Sequence, residues 1–160
     1  MSGGVELRYL GIIRTPHQQM ERTPIQPCFA RGIRGEIHLD SAFEEGLKGI
    51  EAFSHLHLIY YLHRSEPGPL VVTPFMIDEP KGVFACRYPA RPNALGLSVV
   101  KLVEVRGCSL VIEDVDMLDG SPLLDIKPFY PKSDVPERTW GGWTEQVDPA
   151  EAERRGSRSC

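Results

Sequence analysis

The sequence lacks the patterns that mark several large classes of protein. No apolar run approaches the roughly 18 residues that a membrane-spanning helix needs, and no secretory signal opens the chain. Its four cysteines contain no C-x-x-C pair and no zinc-finger spacing. The net charge of −4 excludes a generally basic protein, so a nucleic-acid partner would need a local basic face. We therefore expect a cytoplasmic protein with reduced thiols.

Long helices are also disfavoured, because proline and glycine are frequent. The 160 residues suit one domain, and 14 prolines with 15 glycines favour short elements joined by tight turns. Apolar and β-branched runs predict strands over residues 5–13, 33–39, 56–63, 70–74, 82–86, 97–106 and 109–115. Glycine and cysteine between the last two runs indicate a hairpin. We predict a mainly β fold, either a small β-barrel or a strongly curved sheet.

One helix is predicted, and the end of the chain has a different composition. Residues 41–44 have the form of a capping box, Gly49 is a natural stop, and three apolar residues share one helical face: Phe43, Leu47 and Ile50. Residues 135–160 are charged and lack apolar periodicity. We therefore expect a barrel domain over residues 5–134 and a partly mobile C-terminal tail over 135–160.

The most distinctive stretch is a proline-stiffened loop over residues 87–93. Pro89 and Pro92 fix φ near −65° and push the residues before them toward extended geometry, so the loop cannot continue a helix. It presents three polar side chains that could hold an anionic or planar polar ligand with little loss of entropy: Arg87, Arg91 and Asn93. A surface connection whose arginines pair with carboxylates explains the same residues equally well.

Two other segments have the composition of ligand-binding turns. Residues 116–127 contain three aspartates and a lysine around an Asp-Gly-Ser-Pro turn, where carboxylates and free N–H groups can bind a diol, an ammonium group or a carboxylate. Ordinary turn chemistry with a Lys–Asp pair is the alternative. The proline-rich loop over residues 14–28 leaves the Gln26 amide free to donate and accept, although a plain lid or connection is as good an interpretation.

Three histidines could in principle form a metal site. His55, His57 and His63 share one parity, so on a regular strand they would point to the same face. No acidic or thiol partner stands at a telling spacing, and hydrogen-bonded structural roles explain the histidines better. We predict no metal. His63 and Arg64, at a strand end before a Pro-Gly-Pro turn, are better placed to meet a ligand.

Several separated motifs together resemble the TsaA-like (YaeB, TrmO) family. They are residues 24–26 (PIQ), 35–39 (GEIHL), 49–55 (GIEAFSH), 62–63 (LH), 82–87 (GVFACR), 91–98 (RPNALGLS) and 116–128 (DMLDGSPLLDIKP). The likeness covers residues 5–134, and so many motifs in the right order argue against chance. Family resemblance therefore adds expectations that composition alone does not supply.

The resemblance implies a small, non-Rossmann β-barrel that uses S-adenosylmethionine (SAM). Family members methylate N6 of the threonylcarbamoyl-modified adenosine at position 37 of tRNA and usually act as homodimers. The absence of a G-x-G-x-x-G motif agrees with a non-Rossmann cofactor site. The cofactor contacts that it implies are Pro24, Ile25, Gln26, His63, Arg64, Arg87, Leu97, Asp119, Gly120, Ser121 and Pro122, with Arg91 and Asn93 shaping or lining the same pocket.

The sequence departs from the family pattern, and the chemistry leaves some roles open. Ile25 stands where the family usually has arginine. The usual proline, threonine and tyrosine are replaced by Ala94, Ser121 and Phe129, respectively. The C-terminal extension of longer members is also missing. The exocyclic N6 loses a proton on methylation, and its candidate acceptors are Asp119, Asp125 and His63. Three other functions stay open: a SAM-dependent enzyme with a small-molecule or protein acceptor, a non-catalytic SAM-sensing or tRNA-binding module, and a metal hydrolase.

Overall fold

The computed structural model describes residues 3–158. Its strands are β1 (Gly11–Arg14), β2 (Arg34–Leu39), β3 (His55–Tyr61), β4 (Val71–Val72), β5 (Lys81–Gly82), β6 (Leu95–Arg106), β7 (Ser109–Glu113) and β8 (Ser121–Pro128). The α-helices are α1 (Pro131–Asp134) and α2 (Pro149–Ser157). Short 3-10 helices span Met20–Arg22, Pro27–Phe29, Ser41–Leu47, Ile50–Ala52, Val83–Ala85 and Gly142–Gln146. Residues 1, 2, 159 and 160, including one of the four predicted free thiols, lie outside the described residues.

Six strands close into an antiparallel barrel in the order β1, β2, β7, β6, β3, β8, while β4 and β5 form a separate two-stranded sheet. The predicted mainly β, barrel-type fold is therefore confirmed. Side chains alternate along β3, so that Leu56 and Leu58 are buried in the barrel and His55 and His57 face outward. Strand β8 pairs with both β1 and β3, which completes the ring and leaves these strands without a free edge.

The predicted hairpin is confirmed: β6 and β7 pair from Arg106 and Ser109 onward. Gly107 adopts a φ of +57°, a conformation that glycine takes without a steric penalty. Because β6 has 12 residues, it extends from this hairpin to the opposite end of the barrel, where its first residues pair with the end of β3. That second end carries the site described below.

The α-helix predicted after β2 is wrong in type, although its buried face and its end are as expected. Residues Ser41–Leu47 form a 3-10 helix, as is common in short segments. Its N-cap is Asp40 rather than Ser41, because the Asp40 carboxylate accepts a hydrogen bond from the Ala42 N–H at 2.9 Å. Leu47 is buried, and Gly49 ends the segment with a φ of +86°.

Several predicted strands differ in extent. Within the run over residues 5–13, backbone bonding to the barrel begins at Leu10, whose N–H donates to the Leu123 oxygen at 2.8 Å, and the pairing of β1 with β2 and β8 begins at Gly11. The run over 82–86 is mostly a 3-10 helix that turns Val83 into the interior. Strand β6 begins two residues earlier than predicted, since Leu95 pairs with Tyr61 of β3.

The three histidines do not share one face, so that part of the sequence prediction is wrong. Strand β3 ends at Tyr61, and His63 follows in the turn beyond it. His57 Nε2 lies 3.0 Å from an Asp134 carboxylate oxygen, and His55 Nδ1 lies 2.9 Å from the Ser54 hydroxyl. Between residues 3 and 158, no cluster of three or more His, Cys, Asp or Glu could hold a metal ion. Within the same range, every helix is too short or too polar to cross a membrane.

Candidate functional site

A cavity of about 580 Å³ lies at the end of the barrel where β3 ends and β6 begins. Its volume falls within the range of about 300–1,000 Å³ that small-molecule sites occupy. The cavity is lined by Met20, Thr23, Pro24, Ile25, Gln26, Tyr60, Leu62, His63, Arg64, Ser65, Phe75, Phe84, Arg87, Pro89, Arg91, Pro92, Asn93, Leu95, Gly96, Leu97, Asp116, Met117, Leu118, Ser121 and Arg158. Apolar and aromatic walls with a few cationic and polar groups suit a ligand that has an aromatic ring and charged ends.

Most of the residues predicted to contact a cofactor line this one cavity. They are Pro24, Ile25, Gln26, His63, Arg64, Arg87, Arg91, Asn93, Leu97 and Ser121. The proline-stiffened loop before β6 and the turn before β8 therefore face the same space. Barrel closure brings them together, because β6 and β8 both pair with β3.

The other three predicted contacts, Asp119, Gly120 and Pro122, are not among the lining residues. Asp119 accepts a hydrogen bond from the Thr15 N–H at 3.0 Å and pairs with Arg14 at 3.5 Å. Partial burial raises the pKa of Asp119, but the Thr15 N–H, Gln18 and Arg14 outweigh it and bring the pKa below its usual value. The Asp119 carboxylate thus ties the loop after β1 to the turn that presents Ser121.

The arginines of the proline-stiffened loop have different roles. Arg91 donates to the backbone oxygens of Cys86 and Tyr88 at 2.9 and 3.2 Å, so it braces the loop from within. Arg87 Nη1 donates to the Gln26 side-chain oxygen, which joins two predicted contact residues across the cavity. Arg64 makes no ion pair or side-chain hydrogen bond within the described chain, and its guanidinium is available for an anionic group.

Two of the candidate proton acceptors do not meet the cavity, and the third meets it as a weak base. Asp125 lies outside the lining and pairs with Lys127 at 2.8 Å, which is the ordinary Lys–Asp pair considered from the sequence. Asp119 is tied to its turn. His63 lines the cavity, but burial and the neighbouring Arg64 lower its pKa.

A buried polar chain that the sequence predictions did not include forms part of the cavity wall. The Ser98 hydroxyl donates to an Asp116 carboxylate oxygen at 2.6 Å, and the Tyr60 hydroxyl lies 3.1 Å from Ser98. Because the single Ser98 proton points to Asp116, Tyr60 is the donor to Ser98. Burial raises the pKa of Asp116 to about 7, against the opposing effect of the Ser98 hydrogen bond.

Gly96 explains how an aromatic ring fits across the first part of β6. An added Cβ at Gly96 would lie 2.3 Å from the Tyr60 ring, so only glycine allows the ring to lie there. Tyr60 and Gly96 are direct partners in the β3–β6 pairing. The Gly-Leu-Ser sequence at this point therefore places the ring and the Ser98 hydroxyl beside Asp116.

The C-terminal segment contributes to the wall of the same cavity. Asp148 caps α2 by accepting from the Ala150 and Glu151 N–H groups, each at 3.0 Å. The Ile25 N–H donates to the Gly156 oxygen at 3.0 Å. Arg158 lies 4.1 Å from the centre of the Phe75 ring, a cation–π arrangement at the cavity edge. The mobility predicted for residues 135–160 stays a prediction. This segment contains α2, which is hydrogen-bonded to the loop that carries Ile25.

The sequence contains little that singles out these additional residues. Asp116 stands in the aspartate-rich segment, but nothing in its spacing distinguishes it from Asp119 or Asp125. Only the closed barrel shows that Asp116 is 8% exposed while facing a cavity. No sequence motif indicates Arg158 as a site residue, because α2 reaches the cavity through a tertiary contact.

Fold and site together define a small antiparallel barrel with a ligand cavity at one end. The family model for the tRNA-methyltransferase O N-terminal domain matches residues 12–135. The chain belongs to this family, which confirms the resemblance seen in the sequence motifs.

Several relatives and solved structures are similar over most of the chain. A "Probable S-adenosyl-L-methionine-binding protein" of Pyrococcus abyssi is 51% identical over 139 residues, covering 87% of this chain and 76% of the relative. The Escherichia coli "tRNA (adenine(37)-N6)-methyltransferase" is 35% identical, covering 79% and 58%. The crystal structure of TrmO from Pseudomonas aeruginosa matches with a TM-score of 0.73 and 32% identity, covering 88% and 62%. The chain thus spans about three fifths of these last two proteins.

Proposed function

We propose that this protein is a SAM-dependent methyltransferase that modifies N6 of threonylcarbamoyladenosine at position 37 of tRNA. The observation that carries the proposal is the single cavity in which ten of the predicted cofactor contacts come together. Family membership supports the reaction class, and the Escherichia coli relative bears the name of a tRNA adenine-N6 methyltransferase. A tRNA substrate also favours a cytoplasmic location for the protein.

The lining residues have the chemistry that SAM requires. When bound, SAM supplies an electrophilic methyl group. A guanidinium such as that of Arg64 or Arg87 suits its carboxylate, and aromatic faces such as Phe75 or Phe84 suit its adenine ring or its sulfonium. Because Gln26 and Arg87 hold each other across the cavity, part of the site is ordered in advance, which lowers the entropy lost on binding.

The acceptor must approach from the open side of the cavity. Methyl transfer is an in-line displacement, so the protein mainly has to align the donor carbon with the nucleophilic nitrogen. Arg22 and Arg31 are exposed in the loop between β1 and β2 and form no ion pair with any other described residue. By contrast, Arg14 and Arg34 are engaged with Asp119 and Glu113. We therefore propose that Arg22 and Arg31, rather than Arg14 and Arg34, contact the tRNA.

A homodimer is part of the proposal. Large apolar side chains are exposed around the cavity, with Phe84 at 79%, Leu97 at 53% and Leu95 at 42% exposure. Such clustered apolar exposure is typical of interaction surfaces. Sedimentation analysis should give a dimer in wild-type protein and a monomer after Phe84→Glu and Leu97→Glu. A wild-type monomer at micromolar concentration would contradict the proposed homodimer.

Methyl transfer from labelled SAM tests the proposed function. We expect label in tRNA that carries the threonylcarbamoyl group and none in otherwise identical tRNA without it. Equal labelling of the two tRNAs would refute the substrate specificity. An absence of labelling in both, with SAM binding intact, would refute the enzyme assignment.

A second function is favoured by one specific observation. The 51% identical relative is named only for SAM binding, and Ile25 stands at the cavity where the family resemblance implies an arginine. These facts suit a SAM-binding protein with a small-molecule or protein acceptor, or one that senses SAM without catalysis. It would be favoured by SAM binding without any salt-dependent affinity for tRNA.

A further inference from the structure

Asp116 is a buried carboxyl group that faces the cavity and has one side-chain partner. One of its oxygens accepts from the Ser98 hydroxyl at 2.6 Å. Among the described residues, Ser98 is the only other residue that donates a hydrogen bond to this carboxylate, and no fully buried side-chain nitrogen or oxygen is left unpaired. The second oxygen therefore opens onto the cavity that Asp116 lines.

We infer that Asp116 is the catalytic base that takes the proton from the carbamoylated N6–H group as N6 is methylated. This inference rests on the proposed function, because it needs the N6–H acceptor in the cavity. Asp116 thus takes the role of proton acceptor, for which the sequence suggested three other residues. Of these, Asp119 and Asp125 are bonded to other groups outside the cavity lining. His63 lines the cavity, but burial and Arg64 lower its pKa and make it a weak base.

The surroundings of Asp116 suit a base rather than a permanent ion pair. Burial is the main cause that brings its pKa to about 7, where a base is half ionised at neutral pH. Three titratable groups act on it through space: Tyr60 from β3, Arg87 from the proline-stiffened loop and Cys28 from the 3-10 helix Pro27–Phe29. Only Arg87 carries a permanent charge, and it favours the carboxylate without a direct salt bridge. His17 is another titratable residue close by, and its Nε2 lies 2.9 Å from the backbone oxygen of Val115, the residue before Asp116.

The proton transfer balances with the methyl transfer. The N6 lone pair forms the new N–C bond while the C–S bond breaks and its electron pair goes to sulfur. The N6–H bond then breaks, its electron pair stays on nitrogen, and the proton goes to the Asp116 carboxylate. One positive sulfonium and one negative carboxylate become a neutral thioether and a neutral carboxylic acid. Proton loss to water restores the base after the methylated product leaves the cavity.

The first test measures the carboxyl group in the free protein. Side-chain carboxyl carbons are observed by NMR in protein labelled with ¹³C-aspartate, and the Asp116→Asn spectrum assigns the resonance. We expect a titration midpoint of about 7, whereas a midpoint at the ordinary value of 3.8 would overturn the inference. Ser98→Ala removes a hydrogen bond to the carboxylate, so it should move the midpoint to higher pH.

The second test compares binding with turnover in the full chain. Asp116→Asn should keep the wild-type Kd for SAM by calorimetry, while single-turnover methyl transfer to threonylcarbamoyl-bearing tRNA falls about 10²- to 10⁴-fold. The acidic limb of the wild-type pH–rate profile should disappear in Asp116→Asn and move to higher pH in Ser98→Ala. Asp40→Asn, a matched change at an exposed helix cap, should keep the wild-type rate and profile.

The outcomes distinguish a failure of the inference about Asp116 from a failure of the proposed function. A wild-type rate in Asp116→Asn overturns the inference while leaving the proposed function intact. Loss of SAM binding in Asp116→Asn also overturns it, because the carboxylate would then serve the cofactor rather than the acceptor. An inactive wild-type protein that still binds SAM refutes the proposed function, and the inference falls with it.

Discussion

The buried carboxyl of Asp116 should make the stability of this protein fall as the pH rises from about 4 to about 7. The perturbation that isolates it is Asp116→Asn, which keeps the shape and the acceptor for Ser98 but removes the ionisable group. The pKa of Asp116 is 3.8 in its ordinary state and about 7 in the fold, mainly through burial. The folded protein therefore binds more protons than the unfolded chain between these two values, and stability falls as pH rises across that window.

The size of the effect follows from the shift. Each pKa unit corresponds to about 1.4 kcal/mol, so a shift of roughly three units costs about 4 kcal/mol above pH 7 and nothing below pH 4. The asparagine variant escapes this penalty. Relative to wild type, its free energy of unfolding should rise by about 4 kcal/mol between pH 4 and pH 8.

Urea unfolding of both proteins at intervals of pH measures this difference directly. Asp78→Asn is the matched control, because a hydrogen bond from Arg155 lowers the pKa of Asp78. Its stability relative to wild type should change in the opposite direction, falling as the pH rises through the acid range. If the curves of wild type and Asp116→Asn ran parallel from pH 4 to pH 8, the reasoning about burial would be refuted.

Three further substitutions test the packing of the site and its cationic contact. Gly96→Ala should lower the free energy of unfolding in urea by about 1–3 kcal/mol through overpacking, since its Cβ would lie 2.3 Å from the Tyr60 ring; Gly46→Ala, with no atom within 4 Å, should change little. Gly156→Ala should speed amide exchange in α2 and weaken SAM binding, because its Cβ would lie 2.4 Å from an aromatic ring. Arg87→Ala should raise the calorimetric Kd for SAM about tenfold, for roughly 1.5 kcal/mol of lost charge-assisted bonding.

Each of these expectations has an outcome that contradicts it. Equal stability of the Gly96 and Gly46 variants would show that the Tyr60 ring is free to move away. Unchanged SAM binding in Gly156→Ala, despite faster exchange in α2, would separate the C-terminal helix from the site. Wild-type affinity in Arg87→Ala would assign the anionic contact elsewhere, with Arg64 as the next candidate.

The barrel was predictable because local patterns and closure agree. The first four residues of β3 alternate between histidine and leucine as their burial alternates, and the glycine between β6 and β7 marks their hairpin. Strand ends were less predictable, since pairing partners set them: β1 begins only where β2 and β8 lie beside it. Ser41–Leu47 forms a 3-10 helix in place of the predicted α-helix, and Asp40 rather than Ser41 supplies the cap.

The site was predictable in its contacts but not in its chemistry. Short motifs mark the candidate contact residues, and ten of these residues do meet in one cavity. Burial is a property of the closed fold, so no spacing rule could distinguish Asp116 from Asp119, which stands three residues later in the chain. The same holds for Arg158, which lines the cavity next to a helix end where Gly156 lies close to Phe29.

The most direct measurement of the central claim is methyl transfer from labelled SAM to two tRNA preparations that differ only in the threonylcarbamoyl group. The account predicts label in the N6-methyl group of the modified adenosine in one preparation and none in the other. Equal incorporation into both, or incorporation into neither by protein that binds SAM, would contradict it.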